Sequence, residues 1–403
     1  MPGSIGAYGP LASHIDGFAA RLASQGYMPG SVQEKCDRAT DLSRWLDENG
    51  FSREALNEDI LGQFFAARYR RGYRRRGEAA TGQQLLEYLR DLGCIQAVPP
   101  EVDRSPLGEL IQEFGRYLSA ERGLSPATLL NYLPIVRRFL VGRFENGPMQ
   151  LDELHLIDIH RFVVRFVKTG SRSRGQLIVT ALRSFLRFLQ QRGAIGTDLA
   201  SAVPGVANWR LAHLPKSLPA EQVEQMLASC ERGTPVGQRD YALLLLLARL
   251  GLRAGEVVAL TLNDLDWERG EIVVHGKGQR LGRLPLPTDV GVALVDYLRN
   301  VRPSCSSRRA FIRMRAPLNG LAGSSTIDCI VRRALKRAGL NPEFKGAHLL
   351  RHSLATDLLR RGASLTEIGQ LLRHSQPTTT QIYAKVDFAA LRPIGLAWPG
   401  AAS

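Results

Sequence analysis

Apolar residues recur every three to four positions over most of this chain, the spacing that gives a helix one buried face. Leu107, Leu110, Ile111, Phe114 and Leu118 keep it, as do Leu182, Phe185, Leu186 and Leu189, so residues 107–195 are expected to form an all-helical segment. Residues 11–95 carry a weaker echo of that segment. Leu11, Ile15, Phe18 and Leu22 precede Leu107, Ile111, Phe114 and Leu118 by 96 positions, while Leu85, Leu89, Gly93 and Ile95 precede Phe185, Leu189, Gly193 and Ile195 by 100. A helical module duplicated with small insertions accounts for the drift in offset; two unrelated amphipathic bundles aligned on their stripes would look similar.

From Leu218 onward the pattern becomes mixed. Helices are expected over residues 220–229, 240–250, 256–262, 325–338, 348–360, 365–372 and 378–386. Strands are expected over 271–275 and 284–286, around the turn Gly276-Lys277-Gly278. Prolines block helix continuation at 98–106 and 203–215, which reads as two linkers. The fold class is therefore α+β and mainly α. Its expected parts are a helical module at 1–105, a second at 106–215, a mixed α/β domain at 216–387 and a tail at 388–403.

Composition narrows the function. At 403 residues, with 44% apolar and 23% charged, the chain is long enough for two to three domains with their own cores. No apolar run approaches the ~20 residues needed to span a bilayer. The N-terminus lacks the order of a secretory signal, and the five cysteines include no C-x-x-C pair, which argues against a disulfide framework or a zinc site. A reducing cytoplasm is the expected compartment. The formal net charge of +15 makes a polyanion the expected partner. Residues 1–105 are close to neutral, and the excess lies in the remaining three quarters. Only seven of the 53 basic residues are Lys, a bias that fits either phosphate recognition or a GC-rich genome.

The residues that point to chemistry lie between 249 and 387. Arg253 and Glu256 stand at a helix start, His348-Leu-Leu-Arg351-His352 follows 95 residues later, and Leu372-Arg373-His374 precedes Tyr383 by the spacing H-x8-Y. Guanidinium groups suit an anionic phosphodiester whose charge grows on attack, because they bind two oxygens at once and keep their proton. His348 and Arg351, at i and i+3, share one helix face. Together these residues resemble the catalytic signature of the tyrosine recombinase (phage integrase) family, and residues 107–195 resemble that family's core-binding domain.

The resemblance implies a role for each residue. Tyr383 is the nucleophile, leaving a 3′-phosphotyrosyl bond and a free 5′-hydroxyl. Arg253 and Arg351 hold the phosphate, and Lys277 protonates the departing 5′ oxygen. His348 transfers a proton near the nucleophile; His374 donates to the phosphate or positions Tyr383. Glu256 orients Arg253, although an acid at a helix start needs no catalytic role. His352 reads as a packing residue. Where the family usually has Gly before its second histidine this chain has Arg373, which puts the geometry of that loop in question. No cofactor or metal is implied, because the phosphotyrosine conserves the bond energy.

Outside this signature, Arg68, Arg70, Arg71, Arg74, Arg75 and Arg76 interleave with two tyrosines in nine residues and read as a phosphate-tracking strip. Arg137, Arg138, Arg172, Arg174 and Arg183 are candidate DNA-backbone contacts in the second module, and Arg280 is another beside Lys277. The implied partners are double-stranded DNA carrying specific recombination sites, a homo-tetramer assembled on it, and partner recombinases or DNA-bending proteins. No membrane is expected, and the site of action would be the nucleoid. Two rival functions share the sequence evidence: a type IB-like topoisomerase, and a catalytically silent accessory DNA-binding subunit.

Overall fold

The computed structural model describes residues 8–73, 77–96, 103–144, 147–169, 171–206, 216–276, 281–374 and 376–386. They fall into two compact units, one within residues 1–96 and 213–403, the other within 97–212.

Four helices open the first unit: α1 (Ile15–Ser24), α2 (Pro29–Glu48), α3 (Glu58–Arg70) and α4 (Glu78–Asp91). Pro29 starts α2, where its missing N–H costs nothing, and Asn57 caps α3 by accepting the Ile60 amide at 2.9 Å. Phe18, Leu22, Leu46, Leu85, Leu86 and Leu89 close their core. The second unit repeats the layout with α5 (Pro106–Arg116), α6 (Pro126–Phe144), α7 (Leu156–Thr169) and α8 (Arg172–Gln191). Ser105 and Ser171 cap α5 and α8. Phe114, Leu118, Phe139, Phe185 and Leu189 are buried at its centre. Of the residues related by the sequence offsets, Phe18, Leu22, Leu85, Leu89 and Ile95 in one bundle and Phe114, Leu118, Phe185, Leu189 and Ile195 in the other are buried, whereas Ile15, Leu107, Gly93 and Gly193 are not.

The rest of the first unit is built around α10 (Pro235–Leu250), which follows α9 (Ala220–Ala228). Thr234 caps α10, Pro235 starts it, and residues 242–248 are buried on every side. Gly251 ends it in the left-handed region at φ +57°, where a β-carbon would also lie 2.6 Å from the Leu372 side chain. The chain then enters α11 (Ala254–Ala259), shorter than the expected 256–262 because it turns out of the helix at Leu260. An antiparallel sheet follows in the order β1 (Leu265–Asp266), β2 (Glu271–His275), β3 (Leu281–Pro285). Its register pairs Leu265 with Ile272 and Val274 with Gly282.

One helix lies outside the sequence expectations. α12 (Thr288–Asn300) packs on α10 through Val290, Ala293, Leu294 and Tyr297, a helical spacing that was present in the sequence. α13 (Ser324–Arg337), α14 (Ala347–Arg360) and α15 (Leu365–Leu371) then lead to a 3-10 helix over Pro377–Val386. In the same unit the N-terminal helices meet the loop before α13, where the Leu318 amide donates to the Gln25 carbonyl at 2.8 Å. Among the described residues no helix is long and apolar enough to cross a membrane. The tail at 388–403 lies outside them.

Candidate active site

The ends of α10 and α15 and the starts of α11 and α14 bring the signature residues together. Arg253 precedes α11, and Glu256, three residues on, turns back to accept the Arg253 backbone amide and guanidinium, each at 2.8 Å. Burial works against the Glu256 charge, but the Arg253 backbone bond and the Arg373 and Arg253 guanidinium groups outweigh it and hold the carboxyl below its usual value. Arg351, on α14, is buried and donates to the Gly251 and Leu372 carbonyls at the ends of α10 and α15. Burial and the like charge of Arg253 bring its guanidinium down to about 10, still fully charged at neutral pH. Two guanidinium groups that oppose each other's charge are relieved by an anion between them.

Tyr383, on the 3-10 helix, is 1% exposed. Its hydroxyl lies 2.8 Å from His352 Nδ1. Burial pushes the phenol up to about 12 and keeps it protonated. The Tyr383 hydroxyl thus meets His352, expected to be a packing residue; the ring of His348, which the resemblance places in proton transfer, lies one turn away, tilted by 35° with its centroid 6.4 Å from that of His352. Burial, then the charges of His348 and Arg351, drops His352 to about 4. His374 follows α15 and shares a hydrogen bond of 2.7 Å with Thr380 Oγ1. Burial and the charges of Arg351 and Arg253 bring it to about 4 as well. Both rings are therefore neutral at pH 7. His348 faces solvent, and the protein around it, with the charges of Arg351 and Arg253, holds it below its ordinary value.

Two further residues stand at the site without a role assigned to them from the sequence. Thr380 is buried and fixes one nitrogen of His374; a threonine in a polar run gave no signal. Arg373 occupies the left-handed region at φ +52° and reaches Glu256 Oε2 at 2.7 Å; its signal was the departure from Gly. Among the described residues no cluster of three His, Cys, Asp or Glu side chains is placed to hold a metal ion.

The remaining candidates divide. Lys277, Arg280, Arg74, Arg75 and Arg76 lie outside the described residues, as does the Arg172 side chain. Arg70, Arg71 and Arg174 are exposed. Arg138 is exposed and lies over the Phe166 ring at 4.9 Å, and Arg137 pairs with Asp103 at 2.7 Å. Two are corrected. Arg68 is an internal tie, bonded to Asp41 at 2.8 Å and to the buried Glu78 at 3.3 Å, because a buried carboxylate requires a partner. Arg183 donates to the Val203 carbonyl at 2.7 Å and so fastens the end of its own bundle.

Comparisons with known proteins place the chain in a family. A family model described as the phage integrase family matches residues 216–390, and one described as the phage integrase N-terminal SAM-like domain matches 111–193. A putative integrase/recombinase of Sinorhizobium fredii, y4rA, is 44% identical over 98% of this chain and 96% of its own length. Tyrosine recombinase XerD of Listeria monocytogenes is 32% identical over 72% of this chain and 97% of its own. Among solved structures, XerH site-specific recombinase bound to its palindromic difH substrate after cleavage superposes with a TM-score of 0.57 at 21% identity, over 70% of this chain and 83% of its own. A lambda integrase dimer bound to a COC′ core site gives 0.53 at 20%, over 68% and 94%. These two show a shared fold.

Proposed function

We infer from the membership of this chain in the phage integrase (tyrosine recombinase) family, to which it belongs, that it is a site-specific recombinase that breaks and rejoins DNA strands. The observation that carries the reading is three guanidinium groups, Arg253, Arg351 and Arg373, gathered round the buried Glu256 beside a buried phenol hydrogen-bonded to an imidazole. Such a site attracts a phosphodiester and stabilises the charge that grows on it.

In this reading the phosphate binds Arg253 and Arg351, and His374 donates to an oxygen. The Tyr383 oxygen attacks phosphorus while its proton passes to His352 Nδ1, the group within hydrogen-bond reach. The bond from phosphorus to the 5′ oxygen breaks, its electron pair stays on that oxygen, and Lys277 protonates it. A 3′-phosphotyrosyl ester and a free 5′-hydroxyl result. Attack by a 5′-hydroxyl of another strand reverses every transfer, so the number of phosphodiester bonds is conserved and no energy source is consumed. The partner is duplex DNA with recombination sites, on which four protomers exchange strands in pairs through a Holliday junction. The place of action is the nucleoid.

The test expresses wild type and Tyr383→Phe in bacterial cells, recovers protein-linked DNA under denaturing conditions and sequences the ends. Adducts at one or a few sites, in wild type alone, are expected. Adducts in both would remove Tyr383 from its role. Scattered adducts would favour a topoisomerase, and none in either strain an inactive accessory subunit.

A further inference from the structure

Arg373 is, among the described residues, the only one other than glycine with a positive φ. A non-glycine residue is held in that region only when the structure around it over-determines the conformation, and such positions cluster at working sites. The surroundings here are specific. The guanidinium reaches Glu256 Oε2 at 2.7 Å, and Glu256 in turn holds both the backbone and the guanidinium of Arg253. The Arg373 stem crosses β3 at Gly282, where a β-carbon would lie 2.6 Å from Arg373 Cδ. Gly282 stands near the start of β3, five positions after Lys277 in the sequence. Arg373 also lies between Leu372, whose carbonyl takes the Arg351 guanidinium, and His374.

We propose that Arg373 is a positioning residue for strand cleavage: it braces Glu256, and through it Arg253, while its stem seats the β2–β3 hairpin against the same site. The inference rests on the recombinase reading above. It makes the left-handed conformation intelligible, because a glycine would relieve the backbone but remove both interactions. It also explains Gly282, since any side chain there displaces the Arg373 stem from Glu256.

The test is single-turnover formation of the covalent adduct at saturating DNA, on the sites mapped for the wild type. Arg373→Gly, whose backbone suits the left-handed turn, is expected to slow cleavage 10- to 100-fold with DNA affinity changed less than about twofold; Arg373→Lys recovers part of the rate. Gly282→Ala is expected to slow the wild type five- to tenfold and to add nothing in the Arg373→Gly background, since the side chain it displaces is gone. Equal slowing by Gly282→Ala in both backgrounds, or wild-type cleavage by Arg373→Gly, would overturn the proposal. Should Arg373→Gly unfold, as read by its thermal midpoint, Gly282→Ala alone and Arg373→Lys carry the same comparison. Absence of any wild-type adduct would instead overturn the recombinase reading itself.

Discussion

The Tyr383 hydroxyl and His352 Nδ1 stand 2.8 Å apart, with their rings tilted by 58° and their centroids 5.6 Å apart. The phenol is buried and pushed up to about 12, so it is protonated at neutral pH and, in the reaction proposed above, must give its proton to a neighbour as it attacks. The neutral His352 ring is that neighbour.

Replacing His352 by Ala is therefore expected to lower the cleavage rate by a factor of about 100 or more, in the range of lost general-base catalysis. Asn, which sets an amide close to the Nδ1 position, restores the hydrogen bond without the basicity. His352→Asn should hold Tyr383 in place yet cleave as poorly as His352→Ala. A quench-flow series on a suicide substrate checks this; full activity in His352→Asn would leave the imidazole a positioning role through its hydrogen bond and take the proton transfer away from it.

Acid should weaken the fold through two histidines. His352 and His374 are held at about 4 against an ordinary 6.5. Below pH 6.5 the unfolded chain takes up protons that the native state refuses, so stability is complete above that pH and declines as pH falls toward 4. Urea unfolding at pH 7.5, 6 and 4.5 measures the decline, and His352→Ala with His374→Ala should flatten it. An equally steep decline in that double variant would place the acid sensitivity elsewhere.

Lys277, assigned by resemblance as the general acid, has a chemical test. Lys277→Ala should cleave slowly on an ordinary site and recover on a 5′-bridging phosphorothiolate, whose sulfur departs without a proton. Persistently slow cleavage of the thiolate would assign the proton to another group.

Arg68 and its neighbours should separate. Arg68→Ala leaves the buried Glu78 without its ion-pair partner and is expected to cost about 3 kcal/mol of stability. The salt dependence of DNA binding should stay as it was. Neutralising the exposed Arg70 and Arg71 should leave stability within about 0.5 kcal/mol and reduce the slope of log affinity against log salt by about one for each phosphate that is no longer neutralised. A fall in slope on Arg68→Ala would return that residue to the DNA interface.

Whatever is local or periodic could be read from the chain alone. Helical spacing marked α5 and α8, and the alternation around residues 276–278 marked the strands that became β2 and β3. The order and spacing of Arg253, His348, Arg351, His374 and Tyr383 carried the resemblance to the tyrosine recombinase family, and the resemblance implied the phosphodiester chemistry. The helix α12 was legible too, in Val290, Ala293, Leu294 and Tyr297, and went unread.

Which side chain faces which was settled by packing. His348 and His352 are one helical turn apart, and no local rule says which of the two meets a tyrosine 31 residues downstream from the second; the packing of the 3-10 helix on α14 selects His352. Arg68 and Arg70 look alike in sequence, yet only Arg68 lies over the buried Glu78, 10 positions away. Arg373 needed both Glu256 from α11 and Gly282 from β3 before its place in the loop made sense. Periodicity tells a residue which face of its own element it occupies, whereas a hydrogen bond or ion pair between elements depends on how separate elements are brought together, and that is settled only when the chain closes on its core.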